Sequence, residues 1–332
     1  MTSLLTNTAA MVALQTLNAI NSDLNTTNNR VSTGLRINKA ADSAAYWAIA
    51  TTTASDNGAL GAVTDALSIG ESTLDVAYGG LETTRESLQK IKELLVSARQ
   101  PGVNRANVQT EINGLITDMV NKAGASVINE QNFLSVDTTA LDYNATKAVV
   151  ASFERSSTGI SLSHIELDIT SVFLVDTGGQ TGILDKARAN AGATIAQVTV
   201  EGGTTLDGIM ALATYDTNDA DPTTIASPVG DLTDSAADLT ILEGFIGAVD
   251  EALTEVISAQ NTIGVNLARA TSQKVFVAAL MDANERAVGS LIDANMEEES
   301  TKLRALQTQQ QLSVESLSIA NASAQNVLQL FR

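Results

Sequence analysis

Cysteine is absent from the chain, which excludes disulfides, thiol nucleophiles and zinc thiolate centres. A single histidine, His164, removes most histidine-based metal sites and catalytic triads. Proline occurs only at 101, 222 and 228. Proline inside a helix costs about 3 kcal/mol, so residues 1–100 and 229–332 are free to be continuously helical. Aromatic residues make up 3% of the chain while alanine is abundant, a composition suited to close helix packing rather than to a large globular core. No apolar run approaches the roughly 18–20 residues that cross a bilayer. No Lys or Arg precedes Arg30, so the positive start of a secretory signal peptide is missing. That leaves a cytoplasmic protein, or export by a route that reads no cleaved signal. Positive charge is scarce as well: 19 Lys and Arg stand against 38 Asp and Glu, a net charge of -19. Such a balance argues against nucleic acid and anionic membrane surfaces, both of which attract basic patches.

What the chain does have is a ladder. Leu60, Leu67, Leu74, Leu81, Leu88 and Leu95 fall one heptad apart without a miss. Val63, Ala77, Ile91 and Ala98 follow three or four positions after a rung, with Gly70 and Thr84 as weaker members. Residues between the rungs are mostly polar. A seven-residue apolar repeat of this length indicates a helix whose seam is buried along a neighbour. At about 1.5 Å per residue it would be roughly 55–60 Å long, and no single helix buries its own seam. Long partners must come from the same chain or from other chains.

The rest of the chain supplies candidates. Ala10, Ala13, Leu17, Ile20, Leu24, Thr27 and Val31 carry a thin heptad seam over residues 1–37, and a helix this sparse is expected to be marginal alone and ordered by packing in an assembly. Gly34 ends it, and Asp42 or Ser43 can cap the next helix, which carries Tyr46, Trp47 and Ile49. Burial of Trp47 between helices is favoured over a contact between chains. Pro101-Gly102 breaks the ladder, and 103–127 resumes helical spacing through Val108, Ile112, Leu115 and Met119, then Ile116, Val120, Ala123 and Val127. A short turn makes this helix antiparallel to the first. Leu242, Val249, Val256, Ile263, Ala270 and Val277 form a second ladder, flanked by Ile246, Leu253, Leu267, Met281 and Val288. The last helix has one stripe at Met296, Leu303, Leu306, Leu317, Ala320, Ala324, Val327 and Phe331, and a second at Leu312, Ile319 and Leu330. Two stripes on a terminal helix imply two neighbours, one of them another chain.

Between the helical ends the texture changes. Alternation over Lys147–Arg155 and Ile160–Asp168, joined by Ser-Ser-Thr-Gly, predicts a β-hairpin. Residues 171–235 are rich in Gly, Thr and Asp, with a strand at Ile195–Val200 and a breaker-rich run near Asp216–Pro228. Residues 137–235 hold 14 acidic and 4 basic residues, about half of the net negative charge, as an exposed outer module would. Chemistry is hard to find here. His164 has no second His or Cys and reads as structural or solvated. Asp216, Asp219 and Asp221 lack the Gly and bidentate Glu of a calcium loop and read as a solvated turn. Gly178-Gly179-Gln180-Thr181-Gly182 lacks the Lys-Ser/Thr of a phosphate loop and reads as a flexible turn. No catalytic, cofactor-binding or metal-binding residue is assigned.

Particular residues carry a family resemblance. Arg30-Val31-Ser32-Thr33-Gly34-Leu35-Arg36-Ile37-Asn38, followed by Asp42 and Ala44-Ala45, resembles the bacterial flagellin signature. Ser318-Ile319-Ala320-Asn321-Ala322-Ser323-Ala324-Gln325-Asn326-Val327-Leu328 is similar to the flagellin C-terminus, and Ile292–Glu299 to the family's I-x-D-A-D-M-A-x-E block. The matches cover roughly the first 135 and last 95 residues, and Ala44–Thr52 has an alphaproteobacterial look. The resemblance implies terminal helices that form an inner coiled-coil tube, a second layer of rod-like helices and a projecting middle. It also implies unfolded export through the flagellar type III channel. Residues 29–50 align with the segment sensed by plant flagellin receptors, with Ala41, Ser43 and Tyr46 where Lys, Asp and Gly are usual. The contact motif for the animal Toll-like receptor matches Gln89–Val96 with Glu111, and Lys90 replaces the usual Arg, keeping the charge but losing a planar fork.

The reading is therefore a mainly α chain. Its long N- and C-terminal helices pair as a coiled coil or helical bundle, around a central β-hairpin and a small α/β or β outer module. The expected divisions are an inner-tube helix at 1–44, the first part of the rod with the hairpin at 45–170, a variable outer domain at 171–235, the second part of the rod at 236–290 and an inner-tube helix at 291–332. The expected function is that of a flagellin: an extracellular, non-enzymatic filament subunit for swimming motility. The alternatives are a flagellar hook–filament junction protein and a secreted adhesin or binding module. The expected polymerisation residues are Leu17, Leu24, Val31, Arg30, Arg36, Leu306, Leu317, Val327 and Phe331, and the expected innate-receptor contacts are Lys90, Leu94 and Glu111. Implied partners are further copies or related flagellins, flagellar cap and hook-associated proteins, an export chaperone with the type III apparatus, and host innate receptors. No cofactor, nucleic acid or membrane is expected.

Overall fold

The computed structural model describes residues 7–156, 159–186, 188–190, 193–195, 198–200, 204–206 and 229–330. It divides into two compact units, one formed by residues 60–278 and one by the two ends of the chain, residues up to 59 and from 279.

In the unit of residues 60–278, helix α2 (Ala44–Ala98) buries all six leucines of the ladder to 2% exposure or less, together with Val63, Ala77, Thr84, Ile91 and Ala98. Its long partner is α4 (Ala236–Ile292), where Leu242, Val249, Val256, Ile263, Ala270 and Val277 are likewise buried. Each leucine so buried contributes about 1.5–3 kcal/mol. The second stripe of α4 differs from expectation. Phe245, Ala252, Ala259 and Asn266, three positions after a rung, are the buried residues, whereas Ile246, Leu253 and Leu267, four after, are only half-buried. Both offsets adjoin the seam at 3.6 residues per turn, and the alanines let the facing helix come close.

Two ladders with a uniform heptad repeat could slip past each other by seven residues at little apolar cost. Polar pairs along their edges distinguish the registers. Lys92 donates to Asp250 at 2.5 Å, Gln260 to Glu82 at 2.5 Å and Lys274 to Glu71 at 2.8 Å, and Arg99 pairs with Glu243. Exposed pairs of this kind contribute only about 0–1 kcal/mol each, so they select a register more than they hold the helices together.

After the Pro101-Gly102 turn, where Gly102 takes φ +82°, α3 (Arg105–Ala125) folds back antiparallel to α2. Asn104 caps it by accepting from the Asn107 amide. Val108, Ile112, Ile116, Met119 and Ala123 are buried; Leu115 and Val120 are half-buried, and the helix stops before Val127, which is exposed. The sequence reading missed Arg105. Although charged, it is 7% exposed, and it donates to the Ala98 carbonyl (2.8 Å), the Leu232 carbonyl (2.9 Å) and Asp234 (2.6 Å). It thereby joins the end of α2, the start of α3 and the approach to α4.

Short strands follow. β1 (Val127–Ile128) and β2 (Gln131–Asn132) flank Asn129 and Glu130, both at positive φ, as a two-residue hairpin requires. β3 (Ser135–Val136) precedes the predicted hairpin, which is present as β4 (Thr146–Ser156) paired antiparallel with β5 (Gly159–Asp168), with a bulge between Val150 and Ser152. Only the half nearer the helices is buried, through Ala151, Ile165 and Leu167; Ile160 and Leu162 stay exposed. β6 (Val175–Asp176) lies parallel to β3, and Ile169, Val172, Phe173, Leu174, Ile183 and Leu184 around it are buried core that composition did not reveal. β7 (Arg188–Asn190) pairs with β8 (Ala193–Ile195), and β9 (Val198–Val200) with β10 (Thr204–Leu206). The single strand expected at Ile195–Val200 is thus shared between two hairpins. The run from Asp216 to Pro228, with Asp219 and Asp221, lies outside the described residues.

β4 packs on α2 where the helix has no side chain: a Cβ on Gly70 would lie 2.4 Å from a Val149 methyl. Nothing lies within 4 Å of the equivalent point on Gly79. Glycine in a helix interior costs about 1 kcal/mol relative to alanine, whereas overpacking costs about 1–3 kcal/mol. Gly79→Ala should therefore raise the thermal stability of the monomer by up to about 1 kcal/mol, and Gly70→Ala should lower it by about 1–2 kcal/mol. Unfolding followed by circular dichroism compares the two, and equal signs would refute the close approach.

In the unit formed by the chain ends, α1 (Thr8–Thr33) starts at Asn7, whose side chain accepts from the Ala10 amide, and ends at Gly34 with φ +72°. α5 (Met296–Leu330) is capped by Asn295 and carries Glu297, Glu298 and Glu299 in its first turn, where the helix dipole favours acids. The connector after α1 meets the one before α5. Leu35 bridges to Asp293, the Arg36 amide donates to the Ile292 carbonyl at 2.6 Å and the Arg36 guanidinium to the Leu291 carbonyl at 2.8 Å. Asp42 does not cap α2. Its carboxylate accepts from the backbone amides of Asn38 and Lys39, which hold it below its ordinary value, and Ser43 supplies the carbonyl for the first helical bond. Trp47 is 38% exposed, not buried between helices, and Tyr46 and Ile49 beside it are exposed too.

Candidate assembly surfaces

The helices α1 and α5 meet along the thin seam. Ile20, Leu24 and Leu306 form its buried cluster, with Leu303 against it and Thr27 buried alongside. Polar pairs hold the antiparallel register. Arg30 donates to Glu299 at 2.9 Å, Gln310 to Asn21 at 2.7 Å, and the Asn7 side chain to the Ala320 carbonyl at 3.1 Å. On α5 the less exposed positions are Glu299, Ser300, Leu303, Leu306, Gln310, Ser313, Leu317 and Ala320, so Glu299 takes the seam place expected for Met296, which is exposed.

Of the residues expected to drive assembly, Leu24 and Leu306 are brought together in this seam, and Leu17, Val31 and Leu317 are half-buried. Arg30 and Arg36 are engaged within the chain, with Glu299 and the Leu291 carbonyl. Val327 lies in the last turns of α5, and Phe331 falls outside the described residues. The apolar side chains left uncovered are others: Met11, Val12 and Leu14 on α1, and Leu312, Val314 and Ile319 on α5, all more than half exposed. Leu312 and Ile319 belong to the expected second stripe; the three on α1 were missed, although their places off the heptad seam would have shown them. A lone exposed apolar residue means little, but six on one helix pair leave much apolar surface unburied.

Lys90 and Glu111 are also brought together, in an ion pair of 2.9 Å between α2 and α3 with both side chains largely in solvent; Leu94, one turn on, is half-buried. His164 is exposed on β5 opposite Val150, and it borders an open groove of about 590 Å³ shared with Arg269, Ser272 and Gln273 of α4. The glycine-rich turn at 178–182 is built by close approach. Asp176, buried at 1% exposure, accepts from the amides of Thr138, Gly178 and Gly179 and from the hydroxyls of Thr138 and Thr181. These donors outweigh the burial that would raise the Asp176 carboxyl, and hold it well below the carboxylate range. Among the described residues no group of three or more acidic or histidine side chains is placed to hold a metal ion. No helix among them is long and apolar enough to cross a membrane.

Both helical ends match one family. The bacterial flagellin N-terminal helical region matches residues 4–139, and the bacterial flagellin C-terminal helical region matches residues 246–331. The chain belongs to the bacterial flagellins.

Full-length similarity agrees. A flagellin D of Rhizobium meliloti is 39% identical over 399 aligned residues, and a flagellin C of Rhizobium meliloti strain 1021 is 39% identical over 335, each alignment covering all of both chains. A flagellin of Brucella melitensis is 35% identical over 333 residues, again covering both chains fully. This flagellin is accordingly a structural subunit of the flagellar filament, of the alphaproteobacterial type, and these matches favour neither a hook–filament junction protein nor an adhesin. Its mainly helical fold, with long helices at both ends and short strands between them, is the arrangement expected from the flagellin-like sequence.

Proposed function

We propose that this flagellin polymerises through the α1–α5 pair. The observation that carries the reading is incomplete burial: the pair closes one seam through Ile20, Leu24 and Leu306 while Met11, Val12, Leu14, Leu312, Val314 and Ile319 stay in water. Contact with further copies removes that apolar surface at about 25 cal/mol per Å². Leu24 and Leu306 then act by building the pair, Arg30 and Arg36 by fixing its connectors and register, and Leu17, Val31, Leu317, Val327 and Phe331 by extending the contact. Residues 1–44 and 291–332 form the inner tube, 45–170 and 236–290 the rod, and 171–235 the variable outer domain. The subunit has no enzymatic role. It is exported unfolded by the flagellar type III apparatus with a dedicated chaperone, and in the extracellular filament it meets cap and hook-associated proteins. Lys90, Leu94 and Glu111 are its contact with host innate receptors. Seeded growth tests the central reading. Purified protein added to filament seeds should elongate them into many-copy helical filaments by negative-stain microscopy, and seeds that stay at their starting length would overturn it.

A further inference from the structure

The turn that follows β6 contains a second buried carboxyl group that assembly does not use. Asp185 is 4% exposed, beside the equally buried Asp176. One of its oxygens, Oδ2, accepts from the Asp176 backbone amide at 2.5 Å; the other, Oδ1, makes no hydrogen bond and stands 2.6 Å from the point that a Cβ on Gly182 would occupy. The contrast with Asp176 decides the chemistry. Asp176 is surrounded by donors aimed at both its oxygens, an arrangement that stabilises a carboxylate, whereas Asp185 has one close donor, the Asp176 amide, weaker help from the Gly182 amide and its own, and a carboxylate neighbour.

Other charged groups surround the turn. The segment after β3 contributes Asp137 and Tyr143, β5 ends at Asp168, and α4 presents Glu251 and Glu255. The two nearby cations are committed elsewhere. Lys186 pairs with Glu255 at 2.7 Å, and Arg188 pairs with Glu255 at 2.6 Å and reaches Glu251 at 3.8 Å. Through these cations the turn is fastened to α4, and the chain leads on into β7.

We propose that Asp185 is a proton-operated lock at the base of the central module: uncharged, it lets the 174–186 turn close around Asp176, and ionised, it loosens the turn. Burial is the main cause that raises its carboxyl, to about 6, and the neighbouring Asp176 charge adds to this. The sign follows from linkage. A carboxyl raised from 3.8 to about 6 gives its full stabilisation below the unfolded value and loses it as the pH rises through 6. Asp176, displaced the other way, keeps its contribution throughout that range and loses it only in stronger acid. The turn therefore tightens between pH 8 and pH 5, the opposite of ordinary acid loosening.

Amide hydrogen exchange of the full chain, corrected for intrinsic rates, tests this. Protection of residues 174–186 should rise about tenfold from pH 8 to pH 5, and in Asp185→Asn it should be high and independent of pH. A flat wild-type profile, or an Asp185→Asn profile that keeps the wild-type response, would overturn the proposal. If the variant does not fold, carboxyl carbon titration of the wild-type chain decides instead. A midpoint for Asp185 near 6 supports the lock, and one near the ordinary 3.8 ends it.

Discussion

A chain that lacks residues 300–332 should remain a soluble monomer and fail to extend filament seeds. The deletion removes Leu303, Leu306, Gln310, Leu317 and Ala320, the face of α5 that meets α1. It spares Arg30 and its partner Glu299 but strips the cover from Ile20 and Leu24. Those two residues are the only large apolar side chains of α1 that the chain fully buries. At about 1.5–3 kcal/mol each, their loss leaves too little to offset the entropy of ordering 26 residues. Helices without tertiary support are marginal in water, so α1 melts with its partner. Circular dichroism should show a loss of helix larger than the deleted residues account for, and light scattering with added seeds should stay flat. Extension at the wild-type rate would show that the α1–α5 pair is dispensable. Leu306→Ala is the graded version, costing the pair about 2–3 kcal/mol and slowing growth without abolishing it.

The second large effect is expected at Arg105. Arg105→Met keeps much of the apolar stem and removes every donor, stranding the buried Ala98 and Leu232 carbonyls, while Asp234, 53% exposed, is left to water. A buried group left unsatisfied costs about 1–3 kcal/mol, so a loss of roughly 3 kcal/mol is expected for the unit of residues 60–278. In a unit of that size the unfolding midpoint should fall by about 6–12 °C. Arg105→Lys should restore little, because one ammonium cannot reach three acceptors in a fixed fork. Differential scanning calorimetry of the monomer reads the shift, and a drop below 1–2 °C would mean that solvent satisfies those carbonyls instead.

The helices were legible because their signal is periodic and local. The leucine rungs from 60 to 95 and the rungs from 242 to 277 are all buried, and the hairpin over 146–168 follows from alternation and a turn. Glycine 34 ends α1 as its left-handed conformation allows. Other features depend on residues far apart in the chain and left no local trace. Nothing in the neighbourhood of Arg105 announces the Leu232 carbonyl, and nothing at Gly70 announces Val149. The acidic composition of 137–235 suggested a solvated surface, yet Asp176 and Asp185 are buried, because net charge reports an average and not the fate of one carboxyl.

By itself the sequence determined which segments are helical, which face of each helix is apolar and which family the two ends resemble, since spacing along a chain is enough to place side chains around a helix axis. Only the tertiary structure decided which of two adjoining stripes α4 buries, that Trp47 stays in solvent, and which apolar residues of α1 and α5 remain uncovered. Those outcomes depend on what stands opposite each side chain, and a helical repeat carries no information about its neighbour.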